Sequence, residues 1–102
     1  MPKIFEYLGI VIRFYANEHE PIHVHALYSK EYEVKIEFEI VDHIITQVHF
    51  KDVKGKSDFP PAQKKELIKL VEEFKYIMVE EWVNFFVYNA KPTLRKITKR
   101  LS

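Results

Sequence analysis

From Tyr32 to Ile40 the chain alternates strictly, with Tyr32, Val34, Ile36, Phe38 and Ile40 on one side and Glu33, Lys35, Glu37 and Glu39 on the other. That period of two belongs to a half-buried strand. Three neighbouring stretches carry the same signal less cleanly. In Gly9 to Tyr15, Ile10, Ile12 and Phe14 oppose Val11, Arg13 and Tyr15, so both faces are partly apolar and the strand is expected to be central. In Ile22 to Tyr28 the apolar row Ile22, Val24, Ala26, Tyr28 leaves His23 and His25 on the other face, outward from the core. In the fourth strand Thr46, Val48 and Phe50 alternate with Ile45, Gln47, His49 and Lys51. Turn chemistry separates the strands: Asn17 to Pro21, Ser29 to Glu31, and Asp42-His43. Short connections of this kind predict an antiparallel meander.

After a loop from Asp52 to Asp58, Phe59-Pro60-Pro61 opens a helix, because proline is tolerated in the first helical turn. Leu67, Val71, Phe74, Met78, Trp82 and Phe85 then form one apolar stripe, and Ile77, Val79, Val83, Phe86 and Val87 widen it near the end. Asn89 to Pro92 stops it. The expected fold is α+β: a four-stranded antiparallel meander packed on one long C-terminal amphipathic helix. Residues 1–90 form one domain, and residues 91–102 form a tail that supplies a fifth strand if Thr93, Ile97 and Thr98 extend.

Composition changes this picture little. At 102 residues there is room for one core, 15% aromatic residues argue for large rings in it, and the absence of cysteine removes disulfides and thiolate ligands. No signal peptide or long apolar run is present, so the expected address is the cytoplasm, with no membrane contact. Charge is more informative. The net value is +1, yet the first 90 residues carry −4, while Lys91, Arg95, Lys96, Lys99 and Arg100 give the tail +5. The tail is therefore the candidate nucleic-acid surface, although a basic tail without a basic body is more often a solubility feature.

The candidate chemistry lies around the histidines. If Val24 pairs with Ile36 and Phe38 with Val48, then His23 faces Glu37, His25 faces Lys35, and His49 faces Glu37 from the other side, since only an even register keeps the apolar residues together. His23, His25, Glu37 and His49 are then candidate ligands for zinc or another divalent metal. His19 is a candidate ligand or proton carrier, and Arg13 a candidate for steadying an anionic substrate. The plainer reading of the same residues is a hydrogen-bonded sheet surface, with Arg13 paired to an acid such as Glu18 or Glu37. Other machines are excluded: only Gly9 and Gly55 occur, so no phosphate loop exists, and there is neither a His-Glu-x-x-His helix nor a Gly-x-Ser-x-Gly elbow.

Met1-Pro2-Lys3-Ile4, Gly9-Ile10-Val11-Ile12, the run from Phe14 to His25, Trp82 and the closing Ile97 to Leu101 together resemble the small bacterial family catalogued as domain of unknown function 4160. Ile22 departs from it, standing where many members have a second proline. The resemblance implies no settled activity and no assigned catalytic residue. It implies membership of toxin-antitoxin-like gene pairs, hence a protein partner encoded by a neighbouring gene, with a homo-oligomer as another option. The expected function is that of a partner-binding component working through the sheet's edge or open face, with Phe85 to Tyr88 as the motive. The alternative is a metal-dependent or acid-base hydrolase or nuclease at the histidine face.

Overall fold

The computed structural model describes residues 2–15 and 21–102. These residues form β1 (Lys3–Tyr7), β2 (Ile10–Arg13), β3 (His23–Tyr28), β4 (Tyr32–Val41), β5 (Ile44–Asp52), α1 (Pro61–Phe86) and β6 (Arg95–Ile97). The strands make one sheet in the order β5-β4-β3-β2-β1-β6. β1 to β5 are an antiparallel meander, and β6 adds to β1 in parallel. A parallel neighbour requires a crossover connection, which α1 supplies.

The described residues thus form six strands, where four or five were expected. The tail does add a strand, but β1 had no place in the expected fold. The reason is a register shift between Lys3 and Phe5. A bulge places two consecutive residues on the buried side, so Ile4 and Phe5 are both fully buried and the alternation that betrays a strand is broken. A second shift between Glu39 and Ile40 corrects the fourth strand: Ile45, not Thr46, packs inward, while Thr46 Oγ1 donates to the Glu39 carbonyl at 3.1 Å. Both tight hairpins use left-handed pairs, Leu8-Gly9 at φ +48° and +82° and Asp42-His43 at +51° and +68°. Positive φ at both central residues is the geometry that matches strand twist.

One face of the sheet meets α1. Ile10, Ile12, Val24, Ala26, Val34 and Ile36 pack over Leu67, Leu70, Val71 and Met78, all of them essentially inaccessible. Burying a side chain of this size contributes about 1.5–3 kcal/mol. The helix then carries an aromatic end: Phe14 lies 5.5 Å from Phe85 and 5.7 Å from Phe86, and Trp82 lies 4.7 Å from Phe86. Phe85 and Phe86 therefore belong largely to the core rather than to an exposed patch. Past them, Asn89 at φ +56° reverses the chain, and the Ala90 N–H returns to the Asn84 carbonyl at 2.9 Å.

Candidate functional site

The side of the sheet away from α1 gathers the polar residues of β2, β3 and β4. Strand alternation puts His23 and His25 there, as expected, but neither imidazole is open: His23 is 2% exposed and His25 5%. The outward, solvent-facing pair is thus corrected to a buried one. Tyr15 closes edge-on over His25 at 4.2 Å, and the two imidazoles meet at 5.3 Å. Glu33, itself 5% exposed, completes the cluster.

Each ring makes a hydrogen bond through Nδ1. A carbonyl only accepts, so the His23 Nδ1–H donates to the Pro21 carbonyl at 2.6 Å. The His25 Nδ1–H donates to Glu33 Oε2 at 3.0 Å, a carboxylate–histidine unit of the kind that orients metal ligands and general bases. The Tyr15 hydroxyl donates to the same oxygen at 3.1 Å. Burial first, and then the Glu33 charge, push the Tyr15 phenol above its ordinary value.

The predicted register is the observed one, with His23 opposite Glu37, His25 opposite Lys35, Glu37 opposite His49 and Phe38 opposite Val48. Its side chains nevertheless part. Glu37 is held by Lys51 at 2.8 Å and Lys35 at 3.3 Å, and the hydrogen bond from Lys51 lowers its carboxyl below the usual range. His49 Nε2 lies 3.1 Å from Glu39 instead. Among the described residues no three His, Asp or Glu side chains converge as a metal cradle. Arg13 sits opposite His25, and its buried Nε has no hydrogen-bond partner among the described residues. His19 lies outside the described residues.

The tail cations are engaged by the body. Arg95 reaches Glu81 at 2.9 Å, Arg100 reaches Glu66 at 3.2 Å, and Lys96 stands 3.9 Å from Glu6. The buried Tyr7 hydroxyl donates to Glu66 at 2.8 Å and accepts the Leu101 N–H at 2.9 Å, bolting the tail to α1. Of the five residues singled out for nucleic acid, only Lys91 and Lys99 face no carboxylate within ion-pair distance among the described residues, so a phosphate backbone would compete with contacts already made.

A further feature was read only from its helix side, where Val79, Val83 and Val87 widen the apolar stripe. Ile22, Ile40, Ile45, Tyr76, Val79 and Val83, with His43 at the lip, line an apolar groove of about 240 Å³ between the β4–β5 hairpin and α1. Tyr76 is 50% exposed, and just past the end of α1 stand Val87 (58%) and Tyr88 (71%). The signal was present as Tyr76, Val83 and Val87, spaced seven and four apart on the outer helix face.

The profile described as Domain of unknown function (DUF4160) matches residues 9–83. The chain belongs to this family. The matched segment contains the whole polar cluster and the complete lining of the groove, while β1 and β6 fall outside it. No curated protein and no solved structure matches the chain. No helix among the described residues is long and apolar enough to cross a membrane.

Proposed function

We propose that this member of the domain of unknown function 4160 family is a partner-binding protein, one component of a toxin-antitoxin-like pair, and that it docks its partner at the groove between α1 and the β4–β5 hairpin. The observation that carries the reading is exposed apolar surface concentrated at one end of the molecule. Tyr76 in the groove, Val87 and Tyr88 just past the end of α1, and Val41 (55%) and Ile44 (58%) at the hairpin tip all stand at least half exposed. Contiguous apolar surface of this kind marks interaction sites on soluble domains.

Size-exclusion chromatography of the protein alone and with the product of the neighbouring gene tests the reading. Wild type should co-elute with that product, and Val83→Glu in the groove or Val87→Glu one turn on should not, while both variants still melt cooperatively. A strict monomer that ignores the neighbour contradicts it.

The carboxylate–histidine unit favours a second reading, a hydrolase or nuclease in which Glu33 orients His25 and its Nε2 serves as general base, alone or with zinc or another divalent ion at His23 and His25. The burial of both rings favours docking over catalysis. Hydrolysis of a phosphodiester reporter, lost in His25→Ala and retained in Val83→Glu, would reverse that order.

A further inference from the structure

Of the sheet's two edges, β6 is three residues long and β5 nine, and among the described residues β5 has a neighbour on one side only. Soluble proteins guard such an edge with brevity, proline, bulges or exposed lysine. β5 has no proline, its register shift lies at one end beside Ile45, and its single lysine, Lys51, is drawn to Glu37 at 2.8 Å. The stretch from Gln47 to Asp52 is therefore regular and open. We infer that this edge pairs with the same edge of a second copy of the chain, antiparallel about a twofold axis at His49, so that two sheets run on into one.

Backbone hydrogen bonding supplies the donors and acceptors. The Phe38 N–H donates to the Ile22 carbonyl at 3.0 Å, towards β3, and the Glu33 N–H donates to the Ser57 carbonyl at 3.1 Å, on the other side. Even residues of β4 thus bond towards β3 and odd ones towards β5, so Gln47, His49 and Lys51 use their backbone groups on Glu39, Glu37 and Lys35. The N–H and C=O groups of Val48 and Phe50 point at the open edge. About an axis at His49, Val48 stands opposite Phe50 of the second copy and Phe50 opposite its Val48, each pair exchanging hydrogen bonds.

Side chains choose the second copy and the register. On the helix side the Val48–Phe50 pairs extend the apolar row already made with Phe38 and Ile36. On the outer face the cations Lys35 and Lys51 of one copy run on into Gln47 and Glu39 of the other, and the reverse holds across the axis. His49 meets its own equivalent, each ring already held by a Glu39 at 3.1 Å. Moving the axis by one residue destroys the match: at Val48 it sets Phe50 against Thr46 and Lys51 against Ile45, and at Phe50 it sets Val48 against Asp52 and His49 against Lys51. An edge complementary to itself in this way fits an isologous dimer.

Sedimentation velocity of the protein without any partner tests this. A contact of one strand pair is small, so the dimer should build up over about 10–500 μM. Val48→Pro removes an outward N–H without touching the ladder to β4, is tolerated on an edge strand, and should abolish the dimer while cooperative melting persists. Gln47→Lys sets like charges against Lys51 on both sides of the axis and should weaken the dimer about fivefold, while Gln47→Lys/Lys51→Glu should restore it. Val83→Glu, in the groove lining, should leave the dimer unchanged, which separates this inference from the docking reading. A monomer throughout that range, a dimer indifferent to Val48→Pro or Gln47→Lys, or one lost in Val83→Glu overturns the inference. If Val48→Pro does not fold, the exposed position Gln47 still decides. A protein that is monomeric alone but loses the neighbouring gene product in Val48→Pro gives the edge to that partner's strand, and the dimer is refuted.

Discussion

Replacing Glu33 probes whether the polar cluster is a closed, mutually satisfied unit. The Glu33 side chain is 6% exposed and accepts from two donors, His25 Nδ1 and the Tyr15 hydroxyl. Glu33→Leu leaves both donors buried without an acceptor, at about 1–3 kcal/mol each. Part of that is returned, because a buried carboxylate is itself costly to desolvate, so a net loss of about 2–4 kcal/mol is expected. Glu33→Gln keeps an acceptor oxygen and loses only the charge assistance, which makes a hydrogen bond roughly twice as strong, so it should cost about 1 kcal/mol. Tyr15→Phe removes one donor and should cost a similar amount. Urea titration of the three variants, and of Tyr15→Phe/Glu33→Gln as a double-mutant cycle, gives the coupling directly, expected at about 0.5 kcal/mol or more. For a domain of this size each kcal/mol moves the melting temperature by about 4–8 °C, so Glu33→Leu should melt at least ~8 °C below wild type. Equal stability of Glu33→Leu and the parent would show that His25 and Tyr15 do not depend on this carboxylate, and the cluster as described would be wrong.

Phe14→Ala, which removes the ring between Phe85 and Phe86, should cost about 3–5 kcal/mol by urea titration, a large part of a small domain's stability. Tyr7→Phe frees the tail from Glu66 and the Leu101 N–H, and should cost about 1–3 kcal/mol and speed amide exchange in β6. Stability should fall in acid, because the carboxyls of Glu37 and Asp58 are depressed chiefly by their hydrogen bonds from Lys51 and Lys64. Their contribution is present above the ordinary carboxylate values and is lost as pH drops through the depressed ones; Lys51→Ala should remove the Glu37 part, as read from melting temperature against pH. On the alkaline side burial raises the Tyr7 phenol, so its contribution holds below the ordinary value of 10.0 and is lost above it.

The register of the central strands was legible because apolar alternation admits only even shifts and the short turns select one of them. With Val24 opposite Ile36 and Phe38 opposite Val48, as the turns set them, His23 lies opposite Glu37. What a bulge touches was not legible: β1 hides behind the shift at Lys3, and the exchange of Thr46 for Ile45 behind the shift at Glu39. Spacing also could not reveal that the histidines are buried, since that depends on how Tyr15 and Glu33 fold over the sheet. The pairing of β6 was out of reach for another reason. A three-residue strand carries almost no periodicity, and its place beside β1 is decided by where a 26-residue helix delivers the chain. The groove sits between these cases, since its helix wall could be read from the outer-face spacing and its hairpin wall needed the sheet.

Amide hydrogen exchange of the protein with and without the neighbouring gene product tests the docking claim most directly, because it maps the contact without altering a residue. The account predicts new protection at residues 40–45 and 76–83, the two walls of the groove, with the strands of the sheet's centre unchanged. Protection confined to β1 and β6, or to the segment carrying His23 and His25, would contradict it.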